Sequence, residues 1–357
     1  MDRKHQTQRT LTARLTTLGA AARSALTRYP QDVAASVRGT GLPAHAPRQS
    51  AAVPLRELWN ALPGQPGRVS AVTWLGHCSV LLKVGTTTVL TDPVFSHRIG
   101  VKLGPLTIGP SRQGTLPPTH DELPTADLVL LSHAHFDHLD RPTLRRLIDR
   151  NTHLVTARGT GKLVPRGYGS VTELDWDRSL SVSGVDLHSI RPAHWGARTA
   201  WDRHRGFNSY ILSSPGSASA PAPSPERVLF AGDTGATDAF DNLGPFALGI
   251  FGIGAYQPWI DAHANPEQAY AMATRAGVHT MLPVHHSTFR LSDEPMHEPL
   301  ERLLAAVGQA AAPAPAPVSH SSHTPAQTSA PDPATSLHPG LDRPKVVPLQ
   351  VGELYLR

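Results

Sequence analysis

From Val72 onward the chain is a succession of short apolar runs separated by turn residues. Val72–Leu75, Ser79–Val84 and Thr87–Leu90 are rich in Val, Leu and Thr, and Gly85-Thr86 stands where a reversal is needed. That pattern predicts three short strands, the last two joined as a hairpin. Leu128–Leu131 is apolar without a break, as a strand buried on both faces would be. Further strands are expected at Leu154–Thr156, Ser179–Val182, Val185–Ile190, Asn208–Leu212, Val228–Phe230, Leu248–Ile253 and Met281–Val284. Helix signals fall between them. Asp140 opens one, with Pro142 in its first turn and Leu144, Leu147 and Ile148 on one face. Asn265-Pro266-Glu267 opens another, and Glu298–Val307 reads as a third. Alternation of this kind, with hairpins, predicts an α/β class with mixed sheets.

Two stretches lack any such pattern. Ser213–Pro225 is Ser/Ala/Pro-rich and separates two expected strands, as an extended hairpin loop would. Gly308–Pro344 has a similar composition and the physics of a polar, Pro-broken linker. Strand character resumes at Val346–Leu349 and Glu353–Leu356, so this insertion interrupts a domain spanning 69–357. Residues 1–68 differ in charge: ten Lys/Arg against three Asp/Glu give +7, which leaves −2 for the rest of a chain of net charge +5. Within this basic arm, Leu11, Leu15, Leu18, Ala22, Ala25, Leu26 and Tyr29 recur at helical spacing beside Arg14, Arg23 and Arg28. An amphipathic helix over 10–29 with a positive side suits an anionic bilayer surface. The competing expectation is that its apolar face packs on the enzyme body or forms a homodimer contact. No partner of specific nucleic-acid type is expected. No apolar run reaches the ~18 residues of a membrane span. The arm also lacks a secretory core, so the expected location is the cytoplasm, with peripheral contact at the inner membrane surface. A single cysteine, Cys78, excludes a disulfide framework and Cys-rich zinc modules.

The chemistry is concentrated in Ser132-His133-Ala134-His135-Phe136-Asp137-His138-Leu139-Asp140, directly after an apolar strand. His133 and His135 can converge on one ion from a turning backbone. Asp137 and His138 point elsewhere, so one loop can serve two metals. Neutral imidazoles and carboxylates suit Zn²⁺, and also Fe or Mn. Four groups cannot complete two shells. His194, Asp233 and His285 each follow an expected strand, where loops on a rigid scaffold carry function. His286 adjoins His285 and is an alternative to it.

These segments, with T-W-L-G-H-C-S-V-L-L at 73–82, L-T-D-P-V-F-S at 90–96, F-A-G-D-T-G at 230–235, G-I-G-A-Y at 252–256, H-A-N-P-E-Q-A at 263–269 and P-V-H-H-S-T-F at 283–289, resemble the metallo-β-lactamase superfamily. Within it the resemblance is to the group of phospholipases D that hydrolyse N-acylphosphatidylethanolamine. It implies an αβ/βα four-layer sandwich of two mixed sheets flanked by helices. It further implies that His133, His135 and His194 hold one zinc, that Asp137, His138 and His285 hold a second, that Asp233 bridges them, and that His263 lies near the scissile phosphate. The chain departs from the group in having His286 where an aromatic residue is usual, and in the 308–344 insertion.

Bound metal of this kind activates water toward ~pKa 7. The activity the resemblance implies is a phospholipase-D-type phosphodiesterase releasing a phosphatidic-acid-like product from an N-acylphosphatidylethanolamine-like lipid, with Asp137 and His263 as catalytic residues. Asp92 and Asp140 are candidates to orient metal-facing imidazoles. The alternatives are hydrolysis of a soluble ester, lactone or phosphodiester at the same site, and a non-catalytic metal-binding protein. Gly159-Thr160-Gly161-Lys162 superficially resembles a phosphate loop, but Leu163 replaces the Mg²⁺-binding hydroxyl. Cys78 sits in a strand pattern and is expected to be buried.

Overall fold

The computed structural model of the chain describes residues 53–357, apart from 105, 200, 216–225 and 312–342. The helix expected over 10–29 and most of both Pro-rich insertions therefore lie outside the described residues. In chain order the elements are α1 (Leu55–Ala61), β1 (Val69–Trp74), β2 (Val80–Val84), β3 (Thr87–Thr91), β4 (Val101–Leu103), β5 (Leu106–Ile108), β6 (Leu128–Leu131), α2 (Arg141–Arg146), β7 (His153–Ala157), β8 (Ser170–Leu174), β9 (Ser179–Val182), β10 (Val185–Ile190), β11 (Ser209–Ser213), β12 (Arg227–Phe230), β13 (Phe246–Gly252), α3 (Pro266–Arg275), β14 (Val278–Val284), α4 (Glu298–Ala311), β15 (Lys345–Val346) and β16 (Leu354–Leu356).

Two seven-stranded sheets form the body, in the orders β16-β1-β2-β3-β6-β7-β8 and β15-β14-β13-β12-β11-β10-β9. Each begins as an antiparallel meander and continues as a parallel run: β1 to β3 then β6 to β8, and β9 to β12 then β13 to β15. The hairpin at Gly85-Thr86 is present, with Val84 paired to Thr87. The two short C-terminal strands divide between the sheets, β15 beside β14 and β16 beside β1. The chain thus returns from the long insertion to complete both sheets.

Three apolar layers hold the sandwich together. Val72, Leu82, Leu130, Tyr210, Phe230, Ile250 and Leu282 interdigitate between the sheets. The outer face of the first sheet packs under α1 and α2 through Trp59, Leu81, Val129, Leu144 and Leu154. The outer face of the second packs under α3 and α4 through Leu229, Phe251, Met272, Met281 and Leu303. Strands β6 and β12 are buried on both faces for this reason, as covered parallel sheets require. Residues 55–61 require a correction to the arm as the charge count draws it. They form a helix whose Trp59 is fully buried and whose Nε1 donates to Thr88 Oγ1 at 3.1 Å. That segment therefore belongs to the packed body.

Candidate metal centre

The strand ends deliver the site. Asp92 follows β3, residues 133–138 follow β6, Asp233 follows β12, His285 follows β14, and His194 lies four residues beyond β10. Sharp turns are needed to bring these loops together. Gly232 has φ +60°, and a Cβ there would stand 3.1 Å from Ser132 Cβ. His77, Asp92 and His285 themselves adopt positive φ (54°, 32° and 60°). Such strain persists in L-residues only where the surroundings enforce it.

All seven predicted metal-site residues converge. His133, His135, His194 and Asp233 form one set of donor atoms, and Asp137, His138, Asp233 and His285 another. In the first, His133 Nε2 lies 2.7 Å from His135 Nδ1, and His194 Nε2 is 3.3 Å from both. In the second, Asp137 Oδ2 stands 3.4 Å from His138 Nε2 and 3.3 Å from His285 Nε2. Asp233 Oδ2 joins the sets: it is 3.8 Å from His133 and His194, 3.0 Å from His138 and 3.4 Å from His285. His263 Nδ1 approaches the same oxygen at 3.8 Å.

Buried polar atoms normally have partners. Here both oxygens of Asp233, His138 Nε2 and both ring nitrogens of His285 have none by hydrogen-bond geometry. Imidazole and carboxylate donors aimed at one another across 3–4 Å are the chemistry of a divalent-ion shell. The residues present fit bound metal.

The protein fixes the outer nitrogen of several of these rings, which sets where the inner one points. His138 Nδ1 meets Asp92 Oδ2 at 2.7 Å, and His194 Nδ1 meets Ala262 O at 3.0 Å. His133 Nδ1 lies 2.9 Å from Ser132 Oγ, which itself donates to Asp92 Oδ2. Asp140 does not share this task. Its Oδ2 receives Ser96 N and Thr143 Oγ1, so it ties α2 to the β3 loop and touches no histidine.

Electrostatics follow from burial set against two carboxylates. Burial lowers His133, His194 and His135, the last to about 4. His285 is desolvated too, but Asp233 and Asp137 outweigh the burial and hold it at about 9. Burial works to raise Asp137 and Asp233, yet neighbouring imidazoles, His138 foremost, hold both well below the usual carboxylate range.

Two residues gain roles that their sequence context does not announce. His77 Nε2 contacts Asp137 Oδ2 at 3.0 Å, and its ring lies 4.2 Å from that of His285. The T-W-L-G-H segment that holds His77 is its only sequence signal, and nothing in that segment marks the histidine apart from its neighbour Cys78. Arg198 donates to Ala134 O and Leu139 O and covers the Phe136 ring at 3.9 Å, clamping the 133–139 loop. Cys78 is buried as expected. Its thiol joins a third group with His77, His138 and His285, but burial pushes it well above its ordinary pKa. His286 belongs to none of the donor sets. It stacks on Trp74 at 4.9 Å, which is how a histidine fills a place usually taken by an aromatic ring. The Gly161–Leu163 stretch is a short 3₁₀ turn.

With this geometry in hand, the comparison with known sequences is decisive, because residues 87–286 match the beta-lactamase superfamily domain. The chain belongs to the metallo-β-lactamase superfamily. That fold binds divalent metal through its His/Asp cluster. An uncharacterized protein of Mycobacterium tuberculosis is 35% identical over 280 residues, 73% of this chain and 70% of its own length. The N-acyl-phosphatidylethanolamine-hydrolyzing phospholipase D 1 of Caenorhabditis elegans is 28% identical over 253 residues, 65% of this chain and 68% of its own. The chain is thus a superfamily member related to that phospholipase group. The crystal structure of an isothiocyanate hydrolase from Delia radicum gut bacteria superposes with a TM-score of 0.54 at 14% identity, over 80% of this chain and 98% of that one. That likeness shows the shared sandwich. The chain is a metal-dependent hydrolase of this superfamily.

Proposed function

We propose that the protein is a dinuclear zinc phosphodiesterase. It cleaves an N-acylphosphatidylethanolamine-like lipid on the phospholipase D side, giving a phosphatidic-acid-like product. The supporting observation is the pair of donor sets sharing one carboxylate oxygen, Asp233 Oδ2. The likeness to the nematode phospholipase supplies the substrate class.

In this reading His133, His135 and His194 would hold one zinc, Asp137, His138 and His285 would hold the other, and Asp233 would serve both. Zinc so bound supplies water acidified toward ~pKa 7 and a positive centre for a phosphoryl oxygen. The chain's residues do the rest. Asp92 and the Ala262 carbonyl fix His138 and His194 in orientation. His77 holds one oxygen of Asp137 and leaves that carboxylate a single useful direction. His263 stands at the site with 13% of its side chain exposed. It faces the phosphate, and because burial holds its pKa down to about 4 it is neutral at rest. The departing alkoxide therefore takes its proton from water, or from His263 only after His263 has itself accepted the proton released by the attacking water. Its position is set by the entrance to α3, where Asn265 and Gln268 cap each other.

Purified protein assayed against N-acylphosphatidylethanolamine in mixed micelles and against a soluble bis-phosphodiester tests this. Release of phosphatidic acid supports it. Turnover of soluble esters or lactones with no lipid product would replace it with a different hydrolase.

A further inference from the structure

The segment that carries His194 holds a concentration of aromatic and cationic side chains. Residues 191–207 run from β10 past His194 to β11 and hold Arg191, Arg198, Arg203 and Arg205 against one acid, Asp202. The chain beyond residue 68 is slightly acidic, with net charge −2 even with this loop included. Arg198 is spent inward on the 133–139 loop, and Arg205 pairs with Asp202 at 2.7 Å. Arg191 and Arg203 face outward.

Trp195 and Trp201 lie on this segment. Trp176 donates to Phe207 O and lies beneath the Arg191 guanidinium. Trp195 stacks on the His194 ring at 4.7 Å, yet it is 43% exposed. Trp201, at 68%, is the most exposed large apolar side chain among the described residues. Ile260 is 38% exposed on the loop whose Ala262 carbonyl meets His194. Asp202, next to Trp201, accepts from Thr199 N at 2.6 Å. Exposed indole rings flanked by arginines match the headgroup level of a bilayer. There an amphipathic ring finds both apolar and wet surroundings, and cations meet lipid phosphates.

We propose that loop 191–207, with Ile260 alongside, docks on an anionic phospholipid surface. Trp201 seats among the headgroups, Arg191 and Arg203 lie against phosphates, and the opening beside Trp195 faces the bilayer. The choice of partner rests on the phospholipid reading of the reaction.

Residues 1–52 contain no tryptophan, so indole fluorescence reports contact by the body alone. Full-length protein is titrated with vesicles of phosphatidylcholine and brominated phosphatidylglycerol in equal parts. Strong quenching is expected, most of it lost in Trp201→Phe. In Arg203→Glu, vesicle affinity should fall about fivefold or more. Absence of quenching, or equal quenching in Trp201→Phe, would overturn the proposal. Release of phosphatidic acid from N-acylphosphatidylethanolamine by the parent protein is read in parallel, and its absence while quenching persists would sink the assigned reaction and leave the docking surface standing.

Discussion

Asp233 and His263 lie within one contact of each other, yet the account gives them different work, and substitution separates the two. His263→Ala should retain metal while turnover falls about 10²–10⁴-fold, the range of a lost acid–base group. Metal analysis beside the kinetics checks this, and loss of metal would move His263 into the ligand shell. Asp92 contacts the site only through His138 and Ser132. Asp92→Asn should weaken metal binding about 10–100-fold with the fold intact, as measured by chelator competition and circular dichroism. The seven donor-set residues were legible because each follows an apolar strand. His77 was not, since a histidine in a turn between two strands looks like any polar turn residue. Its role arises from the turn's left-handed φ and from Asp137, sixty residues away. For Asp140, a candidate either to orient an imidazole or to cap a helix, the second holds: it stands at the start of α2 and accepts from Ser96 and Thr143.

Among elements, the inner strands were readable because burial on both faces writes continuous apolar text. Partly exposed ones were not. Ser170–Leu174 is an edge strand of mixed polarity, and Val101–Leu103 with Leu106–Ile108 forms a small separate hairpin. The first has no apolar alternation, and the other two alternate over only three residues each, too short a run to stand out. Helix α1 escaped notice because only Leu55 and Trp59 of its seven residues are buried. That helix nonetheless closes the outer face of the first sheet. Trp59→Ala should destabilise the fold by about 3–5 kcal/mol, read by urea denaturation. A loss under 1 kcal/mol would mean that α1 rests loosely on the sheet. The capped start of α3, by contrast, was legible from Asn265-Pro266-Glu267, because capping is local chemistry.

At the scale of the whole molecule, the sandwich holds the metal loops rigid between two sheets, and no helix among the described residues is long and apolar enough to cross a membrane. Contact with lipid then falls to surfaces. The expected helix at 10–29 is one such surface. Full-length protein should sediment with anionic vesicles more strongly than a chain beginning at Val53, by about 1 kcal/mol for each arginine engaged. Added salt should narrow the gap. Equal sedimentation would leave the arm a structural role. The central claim is that two donor sets meeting at Asp233 hold two ions in one chain. Metal analysis of protein purified without chelator tests it most directly. The account predicts two zinc ions per chain, with one lost first in Asp233→Asn, and a single ion or none in the parent protein would contradict it.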